Sequence, residues 1–157
     1  MDSFVVRKAQ PADLVTVHEC VLALYSELDA YHMPFELNAQ RMGDILKAHI
    51  NSKTSIVLLL EYNGAVSGVL VGHITKLDNR YQPTCGMLVG RITEIYVAPT
   101  IRHKNMAQAL LNSADEWFKY NSVNYIEADI LMDNIASHKF FKKMGFLPLT
   151  QRVYKTI

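Results

Sequence analysis

The stretch Val97-Ala98-Pro99-Thr100-Ile101-Arg102-His103-Lys104-Asn105-Met106-Ala107 joins an apolar strand pattern to an amphipathic helix pattern. A helix start leaves several backbone N–H groups without internal acceptors and carries a partial positive charge. Arg102, His103 and Lys104 stand just before this start, and Asn105 is a residue type that tolerates a left-handed backbone. The stretch therefore predicts a turn that binds a phosphate-like anion. Taken alone, it is equally compatible with a solvated basic loop.

Regular patterns stand on both sides of this turn. The residues from Arg91 to Val97 predict a strand. From Asn105 to Tyr120 the apolar residues recur at i, i+3 and i+4, which predicts an amphipathic helix. Tyr125 to Leu131 predicts the next strand. A strand, a helix and a strand in this order predict a right-handed crossover between two parallel strands.

The remaining segments predict the elements that complete a sheet. Asn63-Gly64 predicts a tight hairpin turn between strands 56–62 and 66–77, because both residues tolerate a positive φ. Upstream, the patterns predict a strand over 4–8 and two helices, one opening at Pro11 and one over 38–50. Downstream, they predict a helix over 134–144 that ends at Gly145, then weaker strands over 146–149 and 152–156. The order predicts an α/β fold with one mixed sheet.

Length and composition limit the class of protein. The 157 residues suit a single domain, residues 1–157, and 50% hydrophobic with 20% charged residues indicate an ordered chain. The net charge of +1 provides no field that would gather nucleic acid or an acidic membrane, so we expect neither partner. The N-terminus has no signal-peptide pattern, and the longest apolar run, Ile56 to Leu60, is too short to span a bilayer. We therefore expect a cytoplasmic protein.

Two segments together resemble the GNAT superfamily of acetyltransferases. The first is the opening stretch, in which a Val-x-Pro turn precedes a segment similar to the family's Arg/Gln-x-x-Gly-x-Gly/Ala signature for acetyl-CoA. The second is Asn134-Ile135-Ala136-Ser137-His138-Lys139-Phe140-Phe141-Lys142-Lys143-Met144-Gly145-Phe146, which follows at the family's separation. The resemblance implies a central mixed β-sheet of about seven strands flanked by about four helices. It also implies transfer of an acetyl group from acetyl-CoA to a primary amine of a small molecule or peptide.

The resemblance further implies which residues bind acetyl-CoA, the expected co-substrate. Backbone groups of Ile95, Tyr96 and Val97 would bind the pantetheine arm as an added strand. The pyrophosphate would lie against the turn, at Arg102, His103, Lys104, Asn105, Met106 and Ala107. Asn134, Ser137 and Phe141 would flank the arm near the thioester, where the neutral amine attacks directly. The histidines and cysteines show no metal-ligand spacing, so we expect no metal.

Two positions depart from the family pattern. Asn105 replaces the first glycine of the signature, so we expect weaker cofactor binding than a glycine would give. Phe141 stands where many members have a tyrosine that protonates the departing thiolate, and its ring has no proton to give. Tyr96, His138, Tyr154 or solvent would supply that proton, and the sequence does not choose among them. The alternative function is an acetyl-CoA-binding module, weak or inactive in catalysis, that acts as a sensor or interaction partner.

Glu94 is the expected general base, because it stands on the strand that should line the cleft. Many relatives carry a carboxylate at the position of Thr93 instead, and strand alternation places Thr93 on the opposite face. The alternative for Glu94 is a structural role, as the partner of a cation or as an exposed strand carboxylate.

The resemblance implies that the region between the first strand and the hairpin forms one wall of the acceptor site. Carboxylates stand beside aromatic residues there and suit a cationic amine, although ordinary solvated surface has the same composition. These residues are Glu27, Asp29, Tyr31, His32, Phe35 and Glu36. A homodimer is expected only because dimers are common among proteins.

Overall fold

Strand β2 (Ser55–Tyr62) is buried on both faces in this computed structural model, which describes residues 3–157. Ile56, Leu58 and Leu60 enter one apolar core. Val57 and Leu59 enter a second core on the opposite face. A strand covered on both faces has no polar side, which explains its continuous apolar run.

The sheet contains five strands in the order β1-β2-β3-β4-β5. The other strands are β1 (Phe4–Lys8), β3 (Ala65–Lys76), β4 (Leu88–Val97) and β5 (Ile126–Ala128). The first four strands pair antiparallel, whereas β4 and β5 pair parallel. The predicted mixed sheet and its parallel pair are confirmed.

The helices cover both faces of the sheet. On one face, α1 (Leu14–Leu28), which follows a 3-10 turn at Pro11–Asp13, packs beside α2 (Ala39–Asn51) over the second core. On the other face, α3 (Met106–Tyr120) packs over the first core, and α4 (Ile135–Lys143) adds Phe140 to it. No helix within residues 3–157 is long and apolar enough to cross a membrane.

The turns and helix ends predicted from short sequence patterns are found at the expected residues. Asn63 and Gly64 have φ angles of 50° and 82° and join β2 to β3. Asn38 begins α2, and its side chain accepts a hydrogen bond from Arg41 N at 2.9 Å. Gly145 has a φ of 90° directly after α4, as a left-handed helix end requires.

The predicted strand count of about seven is corrected to five within the described residues. The predicted strand over 125–131 is paired only at Ile126–Ala128, and segments 146–149 and 152–156 form no strand. Every residue from 147 to 157 is exposed. The two segments contain aromatic and β-branched residues, but a strand also needs a hydrogen-bonding neighbour, and the described chain gives them none.

Candidate active site

Strands β4 and β5 separate along their length and leave a cleft between them. They pair only where Gly90–Ile92 meets Ile126–Ala128, so residues 93–97 of β4 have no strand neighbour on that side within residues 3–157. An open edge of this kind presents N–H and C=O groups that can bind an extended chain as an added strand. The cleft is lined by Leu24, Leu28, Ile92 to Ile95, Ala128 to Leu131, Asn134, Ser137 and Phe141.

The predicted flanking residues are brought together in this cleft. Asn134 caps α4, and its side chain accepts a hydrogen bond from Ser137 N at 3.2 Å. Ile95 faces the cleft from β4, and Tyr96 and Val97 continue the same strand toward the turn. The strand edge and the start of α4 therefore form two walls of one channel.

The turn before α3 has the backbone shape that a bound anion requires. His103 and Asn105 adopt left-handed conformations, with φ of 66° and 61°, and α3 begins at Met106. Asn105 provides no side-chain cap, and the first N–H groups of a helix have no acceptor within the helix itself. The residues present thus fit a pyrophosphate, which the backbone of the turn would bind.

The basic side chains of the turn point to other partners in this structure. Arg102 donates from Nε to Val97 O at 2.8 Å and from Nη2 to both Glu27 oxygens at 2.7 Å. Lys104 donates from Nζ to Tyr62 Oη at 2.7 Å, and His103 is exposed. Arg102 therefore ties the turn to β4 and α1, and sequence reasoning had no signal for this contact.

Glu94 is buried, with 8% of its surface exposed, at the point where the cleft meets α1. Its carboxylate accepts hydrogen bonds from the hydroxyls of Tyr25, at 3.4 Å, and Thr93. Burial raises the pKa of Glu94, and the two hydroxyls offset part of that rise. Burial and the neighbouring Glu94 charge also raise the pKa of Tyr25 to about 12, so its hydroxyl remains a donor at neutral pH.

The placement of Thr93 on the opposite face from Glu94 is wrong. The register between β3 and β4 shifts so that Val71 pairs with Glu94 and Gly72 with Ile92. A bulge at Thr93 interrupts the alternation and brings its hydroxyl to the Glu94 carboxylate. Single-sequence alternation cannot reveal such a bulge.

Phe141 is buried against Phe140 and Phe146 in edge-to-face contacts, and it contributes an apolar surface to the cleft. The three proton donors considered from the sequence lie elsewhere. Tyr96 lies under the Arg102 guanidinium, His138 bonds through Nε2 to Leu131 O, and Tyr154 is exposed. Among the described residues, none of these three lines the cleft.

The residues expected to form the acceptor site differ from the prediction in the placement of their carboxylates. Glu27 is paired with Arg102, whereas His32, Phe35 and Glu36 are exposed. Asp129, which the sequence did not single out, lines the cleft and pairs with Arg91 at 3.3 Å. Within residues 3–157, no group of three or more His, Cys, Asp or Glu side chains is arranged to bind a metal ion.

Comparison with known proteins identifies the family. A model of the Acetyltransferase (GNAT) family matches residues 21–146. The chain belongs to the GNAT family. The resemblance stated from the two motifs is confirmed.

Individual relatives agree with this assignment. An aminoglycoside N(6')-acetyltransferase type 1 from Acinetobacter haemolyticus is 33% identical over 66 residues, which span 42% of this chain and 46% of that relative. The match therefore covers less than half of the relative's length. Among solved structures, an aminoglycoside N-acetyltransferase, AAC(6')-Iy, in complex with CoA has a TM-score of 0.80 at 14% identity, covering 100% of this chain and 96% of that one. A predicted acetyltransferase with acetyl-CoA from Clostridium acetobutylicum has a TM-score of 0.78 at 15% identity, covering 98% and 96%. At these identities the structures support the fold alone.

Proposed function

We propose that this protein transfers an acetyl group from acetyl-CoA to a primary amine of a cationic small molecule, and that Glu94 is the general base. The observation that carries the proposal is the position of Glu94, a buried carboxylate whose pKa burial raises, at the open edge of β4. A carboxylate of this kind is better matched to proton transfer near neutral pH than an exposed one.

The chain would bind acetyl-CoA mainly through backbone groups. The open edge at Ile95 to Val97 would bind the pantetheine arm, and the N–H groups of the turn from His103 to Ala107 would bind the pyrophosphate. Asn134 and Ser137 would flank the arm on the opposite wall. This arrangement positions the thioester beside Glu94.

The chemistry requires one proton acceptor and one proton donor. Glu94 takes a proton from the ammonium group of the acceptor, directly or through a water molecule. The neutral amine then attacks the acetyl carbonyl, the C–N bond forms, the C–S bond breaks, and the second proton on the nitrogen passes to solvent. Since Phe141 has no hydroxyl, we propose that solvent protonates the released thiolate. Positioning of the amine against the thioester would supply most of the rate.

An aminoglycoside is the acceptor class that we propose. The relative from Acinetobacter haemolyticus is named as an aminoglycoside N(6')-acetyltransferase. In this chain the cleft contains the carboxylates of Glu94 and Asp129, and Phe35 and Glu36 are exposed on the segment after α1. Acidic groups beside an open cleft attract a molecule that carries several amines.

Thiol release from acetyl-CoA, with mass detection of the product, tests the proposal on aminoglycosides, polyamines and peptides. We expect turnover on aminoglycosides and a loss of about 100-fold or more in kcat for Glu94→Gln. The matched control is Glu19→Gln, which removes an exposed carboxylate from the outside of α1 and should leave the rate unchanged. An unchanged rate and an unchanged acidic limb of the pH profile for Glu94→Gln would contradict the base role.

An acetyl-CoA-binding module without turnover is the second candidate, and the buried, hydroxyl-free Phe141 is the observation that favours it. Calorimetry with acetyl-CoA separates the two functions. Binding of acetyl-CoA together with no thiol release on any amine would support the module and reject the enzyme.

A further inference from the structure

The inner end of the cleft, where β4 and β5 begin to separate, is apolar. Ile92 of β4 pairs with Ala128 of β5 at the last position of the parallel ladder, and both side chains contact the first core. Phe141 of α4 lines the same cleft. Ile92 and Phe141 are each 4% exposed, so these side chains lie below the surface of the protein. Ile92 and Ala128 are here called the cleft floor.

An acyl-CoA molecule bound as proposed would direct its acyl group toward this floor. The turn proposed to bind the pyrophosphate follows Val97, at one end of the open edge of β4, whereas Ile92 lies just beyond the other end. A pantetheine arm that runs along this edge from Val97 toward Thr93 therefore ends near the floor. Glu94, which lines the same cleft, would then lie next to the thioester. The location of the acyl group thus rests on the proposed function.

Ala128 leaves part of the floor open. Its side chain is a single methyl group, and the residue stays partly exposed, whereas its partner Ile92 is buried. A larger apolar residue at this position would cover that space with its own side chain. An apolar surface that remains open to a cleft can instead be covered by a ligand, and burial of one methylene group there favours binding about fourfold. Phe141 adds to this surface, because its ring lacks a hydroxyl that would need a hydrogen-bonding partner.

The charges around the cleft restrict which acyl groups fit. Within residues 3–157, the ionisable side chains that line the cleft are Glu94 and Asp129, and both are acidic. Asp129 pairs with Arg91, which does not itself line the cleft. A carboxylate at the end of an acyl chain would therefore meet an apolar floor and two acidic residues without a cation to pair with, which opposes binding. The lining suits a neutral acyl chain and disfavours a dicarboxylic one.

We infer that this protein accepts acyl-CoA donors whose neutral, unbranched acyl chain is longer than acetyl, namely propionyl-CoA and butyryl-CoA, and that Ala128 limits the chain length. The reaction is the same as the one proposed for acetyl-CoA. A C–N bond forms between the amine and the acyl carbonyl carbon, and the C–S bond breaks. Glu94 takes one proton from the ammonium group, the second proton on the nitrogen passes to solvent, and solvent protonates the released thiolate.

Isothermal titration of acyl-CoA donors in the absence of an amine tests this selectivity. We expect propionyl-CoA to bind about fourfold more tightly than acetyl-CoA, because one more methylene group is buried. Succinyl-CoA is the matched probe for butyryl-CoA, since the two acyl chains have the same number of carbons and only the succinyl chain ends in a carboxylate. Succinyl-CoA should bind at least about tenfold more weakly than butyryl-CoA. Weaker binding of propionyl-CoA than of acetyl-CoA, or equal binding of succinyl-CoA and butyryl-CoA, would overturn the inference.

Substitutions at Ala128 test whether this residue limits the chain length. Ala128→Val should raise the ratio of the propionyl-CoA to the acetyl-CoA dissociation constant about tenfold or more, because the added methyl groups would occupy the open space. Ala128→Gly should lower the ratio of the butyryl-CoA to the acetyl-CoA dissociation constant, because it enlarges that space. Ala65→Val is the matched control, at an exposed position on β3 outside the cleft lining. Both constants in a ratio belong to the same folded variant, so a change in stability does not alter the ratio. Equal ratios for Ala128→Val and Ala65→Val would reject the role of Ala128.

Thiol release with an aminoglycoside as acceptor separates this inference from the proposed function. We expect kcat/KM for propionyl-CoA to be within about tenfold of that for acetyl-CoA. Transfer from acetyl-CoA without transfer from propionyl-CoA would overturn the inference and leave the proposed function intact. Binding ratios as expected, with no transfer from any donor, would reject the proposed function and retain Ala128 as the residue that selects the acyl chain.

Discussion

The contact between Arg102 and Glu27 predicts a change in acetyl-CoA affinity whose direction distinguishes two roles for Arg102. In the structure the guanidinium bonds to Val97 O and to both carboxylate oxygens of Glu27, which fixes the turn against β4 and α1. If Arg102 positions the turn, breaking the ion pair should weaken acetyl-CoA binding. If Arg102 instead moves away from Glu27 to bind the phosphate of acetyl-CoA, breaking the ion pair should free the guanidinium and strengthen acetyl-CoA binding.

The size of the effect follows from the exposure of the pair. The two side chains are 37% and 40% exposed, so solvent screens their attraction. Two short contacts place the pair at the upper end for exposed ion pairs, about 1 kcal/mol. If that energy organises the turn, Glu27→Gln should raise the dissociation constant for acetyl-CoA by up to about fivefold. The effect should shrink as salt is added.

Isothermal titration of acetyl-CoA at low and high salt measures this effect. Glu19→Gln is the control, because it removes one exposed negative charge from the same helix. Arg102→Lys should weaken binding as well, since an ammonium group cannot bond to Val97 O and to both Glu27 oxygens in the same geometry. Tighter acetyl-CoA binding by Glu27→Gln would refute the positioning role and indicate that Arg102 binds phosphate.

Three further predictions concern stability and pH. Gly90→Ala should lower the free energy of unfolding by about 1–3 kcal/mol, because the added Cβ would lie 2.7 Å from Phe118 Cε1. The control is Gly43→Ala, which lies in a helix with ordinary contacts and should be neutral or stabilising. Thermal unfolding compares the two variants, and equal melting temperatures would contradict the reasoning. Glu94→Gln should raise the free energy of unfolding at pH 7. The raised pKa of Glu94 in the folded protein means that folding is less favourable once this carboxyl is deprotonated, and glutamine removes that cost. The gain should vanish below pH 4.5, and a gain that persists in acid would reject this cause. Tyr25→Phe should shift the acidic limb of the pH profile of kcat/KM to higher pH, because it removes a hydrogen bond that lowers the pKa of Glu94. If the limb does not move, another group accepts the proton.

The parts of the fold that the sequence predicted depend on short-range information. Asn63-Gly64, Asn105 and Gly145 each mark a position where the backbone needs a positive φ, and each residue type tolerates it. The helices are likewise visible as apolar periodicity. Segments 146–149 and 152–156 are predicted as strands for the same reason, because composition is local whereas the partner of a strand is not.

The parts of the site that the sequence did not predict depend on long-range contacts. Tyr25 reaches Glu94 across 69 positions of the chain, and Arg102 reaches Glu27 across 75. The bulge at Thr93 is set by the register between two strands. No pattern within one segment encodes these contacts, since each depends on how separate elements pack.

The surroundings of Glu94 favour the proposed role as a base over a structural role. A structural carboxylate in a protein interior is normally paired with a cation, which lowers its pKa and holds it ionised. Within residues 3–157, the hydrogen bonds to Glu94 come from two hydroxyls, those of Tyr25 and Thr93. Hydroxyls orient the carboxylate but lower its pKa only in part, so its proton affinity stays raised. Burial of this kind costs stability at neutral pH, and a group that must accept a proton in the cleft is a physical reason for bearing that cost.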